Sequence, residues 1–530
     1  MSGGMYSGMA ILAMTARGQD GRATTIGNGI SHRQVVVPFD AVAASLPERE
    51  VMMGKVERRI FLKSITAGLA CGPAILKASV PRSTDIRIED VSIEFQDYGY
   101  RVPIKFGGIV SSGITLLNVN CTVSSMGGKT ARGFGGMPLG NAWSFPSRIL
   151  SFDATLGAMK TLAERISTLT GSFKEYGHPI DLNRVLEPQY LQAAEDITQE
   201  SKLAEPIPKL CTLVTASPFD AAIHDAYGKL HGVNCYHTYG PEFMNHDLSY
   251  YVGPEYKGEY PEKYILKEPK PRMPLYHLVS AIDPLVESDI KHRVNDGLPE
   301  TLPEWINYNG LTHFKIKLDG DDLQWDSERV LGVDRVATEA EEKRGVTGWV
   351  YSLDFNERCP DVQYLVDFLH RVKEKTPGGF ERIQYVEQPT ARDLDTHRQN
   401  VMFEAAKLKP VVIDESLTDL HALMLSREMG YTGAALKACK GQSTMMILAP
   451  VMEKNKMFLC VQDLTCPGAS LIQSASLAAH VPDVKAIEAN SRQFVPAANQ
   501  GWEKRFPGIF HITDGTMDTS HLNGLGIGAV

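Results

Sequence analysis

The sequence lacks several features that would place it in a specialised class of protein. Its 530 residues include eight cysteines but no Cys-x-x-Cys pair, so a zinc site, a thioredoxin-type site and a disulfide framework are not indicated. The net charge is −9 and no long basic block occurs, which argues against a nucleic-acid partner. No apolar run reaches the roughly 20 residues of a membrane-spanning helix, so we expect no stable span. With 43% apolar and 22% charged residues, the composition is that of a globular protein with room for two or three domains.

The N-terminal region carries a pattern typical of an export signal. The stretch 58–63 reads Arg-Arg-Ile-Phe-Leu-Lys and precedes a moderately apolar run over 64–76, which resembles a twin-arginine signal. We therefore predict that residues 1–84 form a disordered N-terminus with a twin-arginine signal-like segment, and that the protein is exported to the periplasm. Export signals usually start near the initiator, so a cytoplasmic location stays open as the alternative unless Met52 or Met53 is the true start.

Four short apolar runs between residues 311 and 416 each end in charged or polar side chains. They are 311–318 with Lys315 and Lys317, 349–356 with Asp354 and Asn356, 383–389 with Glu387, and 410–416 with Asp414 and Glu415. Short apolar runs with helix-length spacers are typical of buried parallel strands joined by crossover helices. Asp354, Glu387 and Asp414 should then converge where successive strands end. Three carboxylates in one place require a cation, and hard oxygen ligands indicate Mg²⁺.

Four further runs complete the set of strands, at 275–282, 433–440, 457–463 and 484–490. Eight strands with helical spacers predict an α/β fold, a (β/α)7β TIM-type barrel over residues 274–499 with its active site at the carboxyl ends of the strands. An α+β capping domain is predicted over residues 85–245, completed by the C-terminal residues 500–530. Its strands are expected at 85–97, 113–124 and 130–136, and its helices at 151–169, 188–199 and 218–232. Residues 246–273 are interpreted as an insertion or linker.

One histidine draws attention on the last predicted helix of the capping domain. His224 lies between Asp220 and Asp225 on a strongly amphipathic pattern that ends at Gly232. A histidine on a packed helix is usually a hydrogen-bonded core residue. We therefore assign no catalytic role to His224.

The order of the motifs resembles the enolase superfamily, specifically the muconate lactonizing enzyme-like branch of the mandelate racemase/muconate lactonizing enzyme family. The motifs are Lys-x-Lys at 315–317, Asp-x-Asn at 354–356, Val-Glu-Gln-Pro at 386–389, Asp-Glu-Ser at 414–416 and Leu-Lys-x-x-Lys-Gly at 436–441. The resemblance extends from about residue 85 to about residue 490. It implies that Asp354, Glu387 and Asp414 ligate Mg²⁺, and that Lys317 and Lys437 act as acid and base on opposite sides of a small carboxylate substrate.

The remaining motif residues would support this chemistry. Lys315 points to the same side as Lys317, while Asn356 and Glu415 would lie behind the metal ligands. A proton α to a carboxylate is too weakly acidic for a lysine to remove unaided, and the metal would offset the charge of the resulting enediolate. A lysine with its ordinary pKa of about 10.4 is charged, so the positive neighbours of Lys317 would have to lower its pKa.

Several outcomes of that first step stay open. Lysines on both faces suit a racemase, an epimerase or a cycloisomerase. An acid-sugar dehydratase would be a lyase that uses the same step, and a catalytically inactive metal-binding scaffold is the third possibility. We also expect a homo-oligomer.

Two departures from the pattern bear on the substrate. The seventh strand ends in Gln462-Asp463 without a histidine, which argues against the mandelate racemase branch. Family members that epimerise dipeptides usually have Asp-x-Asp on the eighth strand, where this sequence has Glu488-Ala-Asn490. Glu488 and Asn490, together with Tyr98 and Tyr100 of the capping domain, are the candidate substrate-binding residues.

Overall fold

The computed structural model of the protein describes residues 81–528. The predicted export signal at 58–63 and the rest of residues 1–80 lie outside the described residues. In the described part, a three-stranded antiparallel sheet with helices is followed by a closed barrel of eight parallel strands. The predicted fold class, a TIM-type barrel with an α+β cap, is confirmed.

The cap begins with a long antiparallel hairpin. Its strands are β1 (Ile86–Phe106), β2 (Ile109–Ser125) and β3 (Thr130–Pro138), in the order β1-β2-β3. The segment 98–112, expected to lie between two separate strands, instead continues both strands to a tight turn at Gly107-Gly108. Both glycines have positive φ, which they adopt without steric cost. A register shift between Gly99 and Ile104 bends the hairpin on its way to that turn.

Four helices follow the cap sheet: α1 (Asn141–Ser144), α2 (Phe152–Ser172), α3 (Pro179–Glu200) and α4 (Lys209–His231). Helix α4 starts nine residues before the predicted helix at 218 and is buried on nearly every side, so it is not amphipathic. It contacts β2 and β3 of the cap and also the turn 438–440 of the barrel. A helix enclosed between two layers needs apolar or hydrogen-bonded side chains all round.

The barrel strands follow in sequence order and pair in parallel with their neighbours. They are β4 (Arg272–Val279), β5 (His313–Lys317), β6 (Val350–Asp354), β7 (Ile383–Glu387), β8 (Val411–Ile413), β9 (Gly433–Leu436), β10 (Phe458–Gln462) and β11 (Ile487–Glu488). Pairing of β11 with β4 closes the ring. Tyr276, Tyr385, Val412, Ala435, Cys460 and Ala486 pack inside the ring and fill its interior.

Helices occupy all seven connections between barrel strands, as the (β/α)7β prediction requires. A short helix, α5 (Leu248–Val252), precedes the barrel. The helices of the seven connections are α6 (Leu302–Asn309), α7 (Leu323–Arg344), α8 (Val362–Lys375), α9 (Pro377–Arg382), α10 (Phe403–Leu408), α11 (Leu420–Glu428), α12 (Gln442–Lys454) and α13 (Ala469–His480). Three short helices follow the last strand: α14 (Ser491–Phe494), α15 (Trp502–Arg505) and α16 (Pro507–Phe510). Their caps are local in sequence: Asp322 accepts two backbone N–H groups at the start of α7, and Gly345 ends it with positive φ. Among residues 81–528, no helix combines the length and apolar character needed to cross a membrane.

The C-terminal segment contacts both parts of the fold. Strand β12 (Thr516–Asp518) pairs antiparallel with β4 of the barrel. Further on, the N–H of Ile527 donates to Asp225 on α4, and the N–H of Cys235 donates to the carbonyl of Gly526. The end of the chain therefore joins the barrel to the cap rather than belonging to the cap alone.

Candidate active site

The predicted site residues lie at the carboxyl ends of the barrel strands. Lys317 of β5 is in register with Asp354 of β6, which is in register with Glu387 of β7. Asp414 directly follows β8, and Lys437 directly follows β9. Strands β5 and β9 are four positions apart in a ring of eight, so Lys317 and Lys437 approach the barrel mouth from opposite sides.

Lys315 lies at the centre of a buried ion-pair network. Its Nζ atom is 3.0 Å from Asp354 Oδ2, 2.9 Å from Glu387 Oε1 and 2.5 Å from Glu488 Oε2. Burial alone would lower the pKa of Lys315, but these three carboxylates outweigh it and raise the pKa well above its ordinary value. Lys315 is therefore a fixed positive charge. Its neighbour Lys317 donates to Asp354 Oδ2 at 2.5 Å and to Asn356 Oδ1 at 3.1 Å.

Two lysines and a tryptophan surround Asp414 on the other side of the barrel. Lys437 Nζ lies 2.7 Å from Asp414 Oδ2 and 4.2 Å from the ring centre of Trp143. Lys440 donates to the carbonyl of Asp414 at 2.6 Å and to its Oδ1 at 3.0 Å. The prediction omitted Lys440, although it is the second lysine of the Leu-Lys-x-x-Lys-Gly motif. Trp143 belongs to the short cap helix α1, and no signal in the sequence linked it to the barrel.

The buried carboxylates differ in how they respond to this environment. Burial raises the pKa of Asp354 and of Asp414, but the lysine ammonium groups beside each of them lower it below the ordinary range. Burial, and then the charge of Asp354, raise the pKa of Glu387 well above its ordinary value. Gln462 donates to Glu387 Oε2, and this glutamine was also missed by the prediction. Among the three predicted ligands, Glu387 is therefore the one whose charged form this environment favours least.

Asn356 and Glu415 contact each other beside these groups. Asn356 has φ +43°, a left-handed conformation that brings its Nδ2 to 3.0 Å from Glu415 Oε1. Trp143 Nε1 donates to the same oxygen at 2.9 Å. Burial, and then the charge of Asp414, raise the pKa of Glu415 to about 7. Its Oε2 is buried and has no hydrogen-bond partner among the described residues.

A cavity of about 80 Å³ lies over these groups and under the cap. Lys315, Lys317 and Lys437 line its barrel side, and Trp143 and Tyr100 line its cap side. Its wall is mixed: Ile104, Phe106, Ile114, Leu278 and Leu464 contribute apolar surface, and polar side chains such as Ser111, Asn141 and Thr465 contribute the rest. A small substrate bound there would face both Lys317 and Lys437.

The four candidate substrate-binding residues separate in the structure. Tyr100, Glu488 and Asn490 line the cavity, whereas Tyr98 lines a different surface depression and donates to Gln96 at 3.2 Å. Asn490 Nδ2 donates to Glu488 Oε1 at 2.7 Å. Asp463, missed as a site residue, also lines the cavity.

Asp463 is held by backbone donors rather than by a cation. Its carboxylate accepts the N–H groups of Thr465, Cys466 and Asn490, at 3.0 to 3.2 Å. Burial, followed by the charge of Glu488, raises its pKa to about 7. Asp463 therefore fixes the ends of β10 and β11 at the cavity wall.

The carboxylates of Asp354, Glu387 and Asp414 suit Mg²⁺ by their chemistry, although lysine ammonium groups are paired with them in this structure. Among residues 81–528, no three His, Cys, Asp or Glu side chains are grouped so that they could hold a metal ion as they stand. The ammonium groups of Lys315 and Lys437 are paired with Asp354 and Asp414 instead. The oxygens of Asp354, Glu387 and Asp414 are nevertheless hard ligands on three successive strands. The buried Oε2 of Glu415, which has no hydrogen-bond partner among the described residues, is a further feature that a divalent cation would satisfy.

His224 lies outside this site. Its Nε2 is 2.9 Å from Ser443 Oγ, and its Nδ1 is 3.1 Å from the hydroxyl of Tyr239. It is fully buried, and burial lowers its pKa well below the ordinary value. His224 is a hydrogen-bonded core residue, as expected from the sequence.

Solved structures with the same architecture include several isomerases. The dipeptide epimerase from Enterococcus faecalis V583, complexed with Mg and the dipeptide L-Leu-L-Tyr, matches with a TM-score of 0.54 and 14% identity, over 83% of this chain and 99% of that one. The muconate lactonizing enzyme from Pseudomonas fluorescens, complexed with muconolactone, matches with a TM-score of 0.53 and 13% identity, over 84% and 96%. The L-Ala-D/L-Glu epimerase from Bacillus subtilis matches with a TM-score of 0.54 and 15% identity, over 84% and 99%. These similarities establish the fold.

The sequence itself was compared with families and with curated proteins. A search of curated protein sequences returns no match. Residues 298–529 match the model of one family, described as enolase C-terminal domain-like. This region contains the four barrel strands β5 to β8 that end at the predicted ligands and at Lys317, and also β9, which precedes Lys437. Residues 298–529 are thus an enolase C-terminal domain-like region, and the resemblance to the enolase superfamily predicted from the sequence is confirmed.

Proposed function

We propose that the protein is an Mg²⁺-dependent enzyme that abstracts the α-proton of a small carboxylate substrate and acts as a racemase, epimerase or cycloisomerase. The observation that carries this proposal is the small cavity lined by Lys317 and Lys437, which come from opposite sides of the barrel and lie beside three buried carboxylates. The isomerases among the similar structures support the same reaction type.

Asp354, Glu387 and Asp414 would hold the Mg²⁺ ion. When bound, the ion supplies positive charge that offsets the charge developing on the substrate carboxylate. Lys315 lies 2.9 Å from Glu387 Oε1 and Lys440 lies 3.0 Å from Asp414 Oδ1, so each amine would flank one of these ligands. Asn356 donates a hydrogen bond to Glu415 and accepts one from Lys317, so it would hold the Lys317 amine in position at the end of β5.

The two lysines would share the proton transfers. For one configuration of the substrate, Lys317 in its neutral form removes the α-proton and Lys437 returns a proton to the opposite face. For the other configuration the roles reverse. A cycloisomerase or a dehydratase needs only one of the two transfers at the α-carbon. The apolar part of the cavity wall, Ile104, Phe106 and Ile114 of the cap among it, would limit the access of water to the substrate.

The proposal is tested by exchange of the α-hydrogen in D₂O. Purified protein is incubated with Mg²⁺ and with N-acetyl amino acids, dipeptides and sugar acids of both configurations, and exchange is followed by ¹H NMR and mass spectrometry. We expect Mg²⁺-dependent exchange with an unchanged product mass, apart from deuterium, for at least one class. Loss of water would instead identify a dehydratase. Absence of exchange across all three classes would favour a metal-binding scaffold.

We further propose that the stretch 58–63 directs export. A chain in which both arginines, Arg58 and Arg59, are replaced by lysine should remain in the cytoplasm, while the unaltered chain reaches the periplasm. Equal distribution of the two chains after cell fractionation would refute this assignment.

A further inference from the structure

The start of helix α12 is an unusual feature of the barrel. This helix begins directly after the turn that carries Lys437 and Lys440, and its N-cap residue is Gly441. A glycine has no side chain to accept the free N–H groups at the helix start, which most N-cap residues do. The acceptor comes from the cap instead: Asp220 of α4 accepts from the N–H of Ser443 at 2.7 Å and from its hydroxyl at 2.7 Å.

The close fit between Asp220 and the turn explains the glycine. Gly441 has φ +99°, and a Cβ atom added there would lie 3.2 Å from Asp220 Oδ2. A larger residue would therefore be strained and would press on the carboxylate. The negative charge of Asp220 also lies at the positive end of the helix dipole.

A chain of hydrogen bonds through five residues holds Asp220 and Ser443 in place. The Ser443 hydroxyl donates to Asp220 Oδ1, so it must accept from His224 Nε2 at 2.9 Å. The His224 Nδ1 atom then accepts from the Tyr239 hydroxyl at 3.1 Å, and the oxygen of Tyr239 accepts from Gln442 Nε2 at 3.2 Å. All five residues are fully or almost fully buried. Gln442 and Ser443 belong to the barrel, and the other three belong to the cap and the segment that follows it.

We propose that Asp220 is a positioning residue for Lys437: by capping α12 from the other domain, it fixes the turn 437–441 and thereby holds the Lys437 amine against Asp414 and Trp143. This inference rests on the proposed function only for the role of Lys437 in proton transfer. The position of the amine is a property of the folded protein and can be measured without substrate.

Two substitutions and a matched control separate this role from general stability. Asp220→Ala removes the cap, and Ser443→Ala removes one of its two hydrogen bonds and retains the backbone donor. Asp225→Asn is the control, because Asp225 is an equally buried carboxylate on the same helix. Its partners are Lys229 and the backbone N–H groups of Phe134 and Ile527, none of which belongs to α12. Asp220→Asn, which keeps the shape and one acceptor, serves if Asp220→Ala does not fold.

The measurement is the rate at which trace isotope-coded acetic anhydride acetylates Lys437, with Lys317 as internal reference, read by mass spectrometry of the full-length protein. We expect Asp220→Ala to raise the acetylation rate of Lys437 by about five- to tenfold. Loss of a helix cap makes local opening of the turn more frequent, and Lys437 reacts in the opened state. Ser443→Ala should have a smaller effect in the same direction, and Lys317 should not change. Asp225→Asn should leave both rates at the wild-type value.

An unchanged Lys437 rate in the folded Asp220 variants would overturn the proposal, and so would an equal rise at Lys317 or an equal effect of Asp225→Asn. These outcomes do not depend on turnover, so they are distinct from a failure of the proposed function. If the wild type does exchange an α-hydrogen, Asp220→Ala should slow exchange from the face served by Lys437 more than exchange from the other face. Equal slowing on both faces would also contradict the inference.

Discussion

Replacement of Lys315 by methionine tests the charge balance of the site in the most quantitative way. The methionine fills a similar volume but removes the one ammonium group shared by Asp354, Glu387 and Glu488. Asp354 retains Lys317 and Glu488 retains Asn490, while Glu387 retains only the neutral Gln462. Breaking a buried ion pair by removing one partner costs about 3–5 kcal/mol. We expect a loss of that size in the free energy of unfolding without Mg²⁺.

The same variant should respond more strongly to Mg²⁺ than the wild type. Lys315 competes with a cation for Asp354 and Glu387, so its removal should tighten Mg²⁺ binding. A ligand at a hundred times its dissociation constant stabilises the folded state by about 2.7 kcal/mol. Urea unfolding with and without Mg²⁺ measures both effects. The loss in the free energy of unfolding, and its partial recovery when Mg²⁺ is added, should both exceed the error of extrapolation.

Lys229→Met provides the matched control. Lys229 also pairs with a buried carboxylate, Asp225, at 2.7 Å, but this pair lies in the cap away from the metal ligands. Its loss should destabilise the protein without any recovery in Mg²⁺. The reasoning is refuted if Lys315→Met is as stable as the wild type without Mg²⁺, or if Mg²⁺ stabilises the two variants equally.

Three further predictions concern other contacts of the site and the fold. Trp143→Phe retains a ring beside Lys437 but loses the N–H that binds Glu415. Trp143→Leu also loses the cation–π contact, so its rate of α-hydrogen exchange should be about tenfold lower than that of Trp143→Phe. Equal exchange rates in the two variants would refute the role of the ring. Lys440→Met should lower the free energy of unfolding by about 1.5–3 kcal/mol, the usual size for a charged hydrogen bond. An unchanged free energy of unfolding in urea titrations would contradict this prediction. Burial lowers the pKa of His178 to about 4 from an ordinary 6.5, so the unfolded chain takes up this proton first as the pH falls. Stability should therefore decline from pH 6.5 towards 4, and His178→Asn should make that decline shallower by up to roughly 3 kcal/mol in urea titrations; an identical slope would refute it.

The barrel and its strand ends could be predicted from the sequence because their signals are local. A buried parallel strand is a short apolar run, and the polar residue that ends it is its next neighbour in sequence, as with Leu353 and Asp354. Parallel pairing then brings such ends together regardless of the sequence between them. The prediction for Lys317, Asp354 and Glu387 needed only this rule, and the strand register agrees with it.

Contacts between distant parts of the chain were not predictable in the same way. Trp143 reaches Glu415 across 272 positions of sequence, and Asp220 reaches Ser443 across 223. Neither pair has a spacing or a motif that singles it out. Helix α3 shows a local limit of sequence patterns. The helix was predicted over residues 188–199, but it begins at Pro179 and retains Pro188 inside it.

The sequence also did not predict which carboxylates each lysine pairs with. The motifs indicated that Lys315 would act by lowering the pKa of Lys317, through its positive charge. In the structure Lys315 binds three carboxylates, one of them Glu488 on the eighth strand, which had been considered for substrate binding. Which of several neighbouring acids a lysine binds depends on side-chain distances of a few tenths of an ångström, and a sequence does not contain them.

The central claim is that two amines on opposite sides of the barrel serve opposite faces of one substrate beside a divalent cation. The measurement that tests it most directly is Mg²⁺-dependent α-hydrogen exchange in D₂O from each configuration of a substrate, in Lys317→Ala and in Lys437→Ala. The account predicts a reciprocal result, in which each variant loses exchange from one configuration and retains it from the other. Loss of the same configuration in both variants, or full exchange in both, would contradict it.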